Sequence, residues 1–251
     1  MSSRPQSPAR RFGTPNMRMI IAWLAFSTSG IAWACQPSPS LFSCASVRTI
    51  PLKECEALVA LYRHTRGEAW HHREGWLRDS DPCRWHGVAC GGGHVRQLDL
   101  SANGLRGPLP YEIGQLDSLW VLRLSQNHLW GPIPETIRQL SQLREMDLSD
   151  NALSGPIPEA LGDLRELRWL NLARNQLRGP IPSRLVQLSN LRSVDLSQNP
   201  LEGELPADLL RLPSLVIVDL RGTSVCIPKD RMPPVSPMTD WKVAICHSSR
   251  R

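Results

Sequence analysis

Between residues 95 and 214 the chain repeats itself every 24 residues, five times over, and a sixth copy begins at Leu215 and breaks off. The copies read VRQLDLSANGLRGPLPYEIGQLDS, LWVLRLSQNHLWGPIPETIRQLSQ, LREMDLSDNALSGPIPEALGDLRE, LRWLNLARNQLRGPIPSRLVQLSN and LRSVDLSQNPLEGELPADLLRLPS. A fixed period of this length marks a solenoid, in which each unit buries its apolar face only against its neighbours. Function in such a chain is expected on a surface rather than in a pocket.

Nearly half of the 251 residues are repeat, so a single continuous core closed by two caps is expected. The 22 prolines and 17 glycines would read as loop-rich sequence if scattered. Many fall in register instead, as G-P-x-P or G-E-L-P once per copy, and act as structural punctuation.

The N-terminus reads as an export signal. Arg10, Arg11 and Arg18 precede an apolar stretch from Met19 to Phe26, and small residues lead on to Ala32-Trp33-Ala34. That order, basic region, apolar core and A-x-A-like cleavage site, predicts a signal peptide over 1–34. The alternative is an uncut membrane anchor. Against it, Ser27, Thr28, Ser29 and Gly30 interrupt a run already shorter than the ~20 residues of a span. Residues 1–34 carry four arginines and no acids, so the formal +6 falls to about +2 in the mature chain. That balance gives no support to nucleic-acid binding. The expected location is secreted, or at the cell surface or in the periplasm.

All seven cysteines lie outside the five full copies. Solenoid ends expose a raw edge of core, and exported proteins can staple the closing caps with disulfides. Locality suggests Cys44–Cys55, Cys83–Cys90 and Cys226–Cys246, although spacing alone leaves connectivity open. Cys35 is left over, directly after the expected cleavage site. It is either a lipid attachment point, which would be the chain's sole tie to a membrane, or a free or differently paired thiol.

Each copy opens with L-x-x-L-x-L-x-x-N-x-L, which resembles the leucine-rich repeat. In a short strand alternate residues point to opposite faces. Leu122 and Leu124 are therefore expected to point inward, and Val121, Arg123 and Ser125 outward on the concave side. Asn103, Asn127, Asn151, Asn175 and Asn199 recur at one position. They are expected to turn inward and satisfy backbone groups left open where strand becomes loop. Thr223 takes that position in the sixth copy and marks the end of the array.

The second half of each copy, L-x-G-x-I-P-x-x-L-x-x-L, resembles the plant-type repeat, and residues 151–164, NALSGPIPEALGDL, match it closely. The resemblance implies an α/β solenoid, a right-handed superhelix with short parallel strands on its concave face and a second short strand that adds twist. It also implies an N-terminal helical cap. Cys55, Leu58, Val59 and Tyr62 have the spacing of a helix laying one face on the first coil. Trp70, Trp76 and PCRWHGVAC (82–90) complete that cap, with the two cysteines of the motif paired in the family. The tail 226–246 resembles a short C-terminal cap with Trp241 packed inside. The wording ALVALYRHTRGEAW resembles exported bacterial members of the family. The organisation expected is a signal peptide at 1–34, an N-terminal extension and cap at 35–94, the array at 95–222, and a C-terminal cap and tail at 223–251.

Catalysis finds little support. Cys83, His86, Cys90 and His94 offer four potential zinc ligands in twelve residues, but a disulfide cap is the better reading in an exported chain. Asp99, Asp147, Asp195 and Asp219 form a column on the concave face, interrupted by Arg123 and Asn171. Stacked strands ~4.8 Å apart produce such columns without any acid–base role. No nucleophile–base pair or phosphate loop accompanies them, so neither an enzyme nor a cofactor or metal is expected.

The concave face is the better candidate. Trp120, Arg123, Asp147, Arg168, Trp169, Asn171 and Arg174 are the expected partner-binding residues, because exposed tryptophan with arginine nearby is the composition of an interaction hot spot. Arg96, Arg144, Arg168 and Arg192 share one repeat position and form a ladder beside them. The expected partner of a monomeric chain is a protein or peptide held on a preformed curved sheet. Two alternatives are inhibition of an extracellular cell-wall hydrolase and adhesion to a glycan through Trp120 and Trp169.

Overall fold

The structure is a computed structural model that describes residues 42–232 and 239–246. The expected signal peptide and Cys35 lie outside the described residues.

Every copy lays one short strand on a shared sheet. His94–Asp99, Val121–Arg123, Glu145–Asp147, Trp169–Asn171, Ser193–Asp195 and Ile217–Asp219 run parallel, each paired to the next. Partners such as Val121 and Glu145 lie one period apart, so equivalent residues stack in columns. The inward column Leu98, Leu122, Met146, Leu170, Val194 and Val218 has no exposed surface. Each such side chain contributes about 1.5–3 kcal/mol by leaving water. Ser125, expected outward, is buried. The strand ends at Arg123, Gln126 takes a left-handed backbone (φ 57°), and Ser125 Oγ turns to Ser101 Oγ of the preceding coil at 3.3 Å.

The asparagine column stitches coil to coil. Asn127 Oδ1 accepts from the N–H groups of Asn103 (3.0 Å) and Leu105 (2.9 Å), one coil back. Its Nδ2 donates to the carbonyls of Leu100, Leu124 and Ser125 at 2.9–3.1 Å. Asn151, Asn175 and Asn199 repeat the pattern. The amides thus satisfy backbone that would otherwise be buried unpaired.

The G-x-I-P halves form the outer layers. Strands Arg106–Pro108, His128–Gly131, Ala152–Gly155 and Gln176–Leu177 make a second sheet. Its partners, such as Arg106 and His128, lie two residues short of the period, so this sheet is staggered against the concave one. A proline then opens each 3-10 turn, as Pro134 opens Glu135–Gln139 and Pro158 opens Glu159–Asp163. Proline suits that position because it holds the chain extended and lacks an N–H the turn could not use.

The caps close both ends. The helix Leu52–His64 buries Cys55, Ala57, Leu58 and Leu61 against the first coil. Trp70, Trp76 and Trp85 are buried beside it. Gly107 marks the closest approach, since a Cβ there would sit 1.9 Å from the His64 carbonyl oxygen. Val88–Gly91 adds an antiparallel strand to the concave sheet. At the other end strand pairing continues past Thr223. Asp240–Lys242 pairs with Ile217–Asp219 on the concave sheet, and Ala244–Ile245 with Ser224–Ile227, which pairs in turn with Glu202–Glu204 to make a separate three-stranded sheet. Disulfides join Cys44 to Cys55, Cys83 to Cys90 and Cys226 to Cys246. Among the described residues no helix is long and apolar enough to cross a membrane.

Candidate ligand-binding face

Three columns of side chains make up the concave face. The first is Arg96, Trp120, Arg144, Arg168, Arg192 and Val216, joined by backbone bonds such as Trp120 N–H to the Arg96 carbonyl and Arg168 N–H to that of Arg144, both 2.8 Å. Trp120 therefore stands in the arginine ladder. Its ring lies between the guanidinium carbons of Arg96 (4.8 Å) and Arg144 (4.9 Å), one from each neighbouring coil. This double cation–π contact gives the ring internal partners.

The second column is Gln97, Val121, Glu145, Trp169, Ser193 and Ile217. Trp169 is 43% exposed and Ile217 41%, so the face keeps apolar surface open to solvent. Val216, equally exposed, adjoins it. Trp130, exposed by 53%, lies apart on the outer sheet.

The third column is Asp99, Arg123, Asp147, Asn171, Asp195 and Asp219. Its acids have a local task. Asp147 Oδ1 accepts from the Ser149 N–H (3.0 Å), Asp195 Oδ1 from that of Ser197 (3.0 Å), and Asp99 and Asp219 repeat the bond. Asn171 does the same through Oδ1 to the Ala173 N–H (3.1 Å). Each side chain thereby braces the turn into the left-handed residue before the buried asparagine. Arg123 cannot accept and serves differently. It donates to both oxygens of Glu145 (2.6 and 2.9 Å) and reaches Asp99 Oδ2 at 3.4 Å, bridging three strands. The Glu145 carboxylate raises its pKa further above the ordinary range. Arg174 reaches Asp150 Oδ1 at 3.2 Å from a largely exposed position. Arg221 closes on Asp219 with bonds of 2.6–3.1 Å and holds that carboxyl below its ordinary value, against the opposing effect of burial.

The expected residues therefore divide. Asp147, Trp169 and Asn171 line one shallow depression together with Glu145, Ser193 and Asp195. Trp120 and Arg123 are engaged within the sheet, and Arg168 and Arg174 flank the depression's coil. Asp195 and Ile217 belong to this surface although their role is not apparent along the chain. Their columns, read across the copies, are the signal that finds them. Cys83 and Cys90, weighed above as zinc ligands, form a disulfide and offer no thiolate. His94 Nδ1 lies 2.6 Å from Glu54 Oε1 instead.

Comparison with known proteins agrees with this geometry. Residues 133–177 match the family model "Leucine rich repeat", as do 94–116, 118–140 and 190–212, and residues 52–91 match "Leucine rich repeat N-terminal domain". A 46-residue stretch is 50% identical to the LRR receptor-like serine/threonine-protein kinase FEI 2 of Arabidopsis thaliana. That stretch is 18% of this chain and only 8% of the kinase. The LRR ectodomain of the Arabidopsis thaliana receptor kinase SOBIR1 superposes with a TM-score of 0.61 at 27% identity, covering 70% of this chain and 97% of that one. The ectodomain of the Arabidopsis receptor kinase HAESA, solved in complex with an IDA peptide hormone ligand, gives 0.55 at 27% identity, covering 70% of this chain and 34% of that one. The chain belongs to the leucine-rich repeat family, in its plant-type form with a disulfide-stapled N-terminal cap.

Proposed function

We propose that this chain is an exported, non-catalytic binding module that holds a protein or peptide on its concave face. The observation that carries the reading is Trp169, 43% exposed at the centre of a concave face whose other exposed tryptophan, Trp120 at 38%, already has an arginine from each neighbouring coil on its ring. A large aromatic open to water on a rigid face is costly without a partner and effective with one. Similarity to extracellular ectodomains, one of them solved with a peptide hormone, supports the same reading. The sheet is preformed, so binding orders little backbone and keeps more of the contact energy. A glycan platform built on both tryptophans is less favoured, because Arg96 and Arg144 already occupy the Trp120 ring.

A displayed peptide library selected on the immobilised protein tests this. Binders that are lost on Trp169→Ala and kept on Trp130→Ala are expected. Binders with the reverse preference would move the site to the outer sheet and defeat the proposal.

A further inference from the structure

The acids of the concave face are neutralised from within at every position but two. Asp99 and Glu145 share Arg123, Asp150 has Arg174, and Asp219 has Arg221 and Lys242. Among the described residues Asp147 and Asp195 have no ion-pair partner, and each uses Oδ1 to brace its own turn. Arg221 acts on Asp195 only through space, its N–H groups being directed to Asp219. These two carboxylates lie on alternate strands, with Asn171 between them and Trp169 two residues along the same strand as Asn171. All four line one depression, and Trp169, 43% exposed, is the aromatic of that depression.

We infer that this depression is the subsite for an arginine side chain of the bound protein or peptide. The inference rests on the concave-face reading and adds the chemistry of the ligand. Two strand spacings set Asp147 and Asp195 about 9.6 Å apart along the backbone. A planar guanidinium donates N–H groups from opposite edges and bridges such a span, whereas a compact ammonium reaches one side. The Trp169 ring supplies a face for the same cation, and its partial exposure is relieved when that face is covered. The Asn171 carboxamide remains directed to the Ala173 N–H, so the floor of the subsite is fixed before the ligand arrives.

The structure also supplies a conservative test. Asn171 braces its turn as the aspartates brace theirs, so Asp147→Asn and Asp195→Asn remove charge and keep the turn. N-acetyl-arginine amide, N-acetyl-lysine amide and the neutral isostere N-acetyl-citrulline amide are titrated into the full chain. The readout is the Trp169 indole N–H resonance, identified among nine tryptophans by its loss in Trp169→Phe. A saturable shift is expected with arginine, a weaker one with lysine, and none with citrulline. The double asparagine variant is expected to bind arginine roughly tenfold or more weakly, the equivalent of one lost charge-assisted hydrogen bond. No shift with arginine, an equal response to citrulline, or unchanged binding in the double variant overturns the arginine subsite. A selected peptide that survives both asparagine substitutions but is lost on Trp169→Ala also overturns it, while leaving the concave-face function standing.

Discussion

Glu54 Oε2, on the cap helix and with no exposed surface, accepts the Val95 N–H at 2.8 Å, tying the cap to the first strand of the array. Its other oxygen faces His94 Nδ1 at 2.6 Å. Removing the carboxylate strands a buried N–H and leaves a void. Glu54→Ala is expected to cost about 3 kcal/mol, a fall in Tm of roughly 6–12 °C for a domain of this size. Glu54→Gln keeps an acceptor and should cost about 1 kcal/mol. Calorimetry showing Glu54→Ala within 0.5 kcal/mol of wild type, an ordinary surface effect, would remove the tie.

The asparagine ladder carries a larger burden than its size suggests. Asn127 makes five bonds to buried backbone across two coils. Asn127→Ala should lower unfolding free energy by about 3 kcal/mol by leaving several of those groups unpaired. Asn127→Asp restores acceptance but loses the donors, and should be at least as damaging. Urea midpoints for the two variants, compared with exposed Gln126→Ala as control, decide the matter.

Acid should weaken the C-terminal end first. Arg221 and Lys242 hold Asp219 below the usual 3.8. A depressed folded pKa means the stabilisation is present above the unfolded value and is lost as pH falls through the folded one. Stability measured from pH 5 downward should therefore decline in wild type. In Asp219→Asn that share of the decline should be missing. Identical pH profiles would show that Asp219 adds nothing to acid sensitivity.

Trp120 owes its position to its neighbours. Each cation–π contact is worth about 0.5–1 kcal/mol at such a site, so Arg96→Ala with Arg144→Ala should destabilise by about 1–2 kcal/mol. The freed ring should also become more accessible to acrylamide. Quenching that rises equally in a Trp120→Leu background would trace the effect to a different tryptophan.

Much of the molecule was legible along the chain because a solenoid makes its contacts between residues one period apart. Leu122 and Leu124 are buried and the asparagines are internal for a reason that spacing alone conveys: identical positions stack. The ends were less legible. The tail 226–246 has no visible repeat, yet Asp240–Lys242 extends the concave sheet and Ala244–Ile245 pairs with Ser224–Ile227, because open strand edges accept any segment that can pair with them.

The site divides along the same line. Composition and repeat position pointed to the concave face as the candidate site, with Trp120, Trp169 and the arginines as its residues. Which of those are available is a property of distances between coils. Trp120 and Trp169 stand at adjacent repeat positions, and the distances between coils show that Arg96 and Arg144, one period either side of Trp120, reach its ring. Asp147 and Asp195 share a column with Asp99 and Asp219, and only the reach of Arg123, Arg221 and Lys242 decides which acids keep their charge exposed. The 24-residue period by itself determined the fold, since it dictates what is buried. The tertiary structure decided which side chains of the concave face are paired and which stay open, since long charged side chains choose among several neighbours within reach, and the period does not fix that choice.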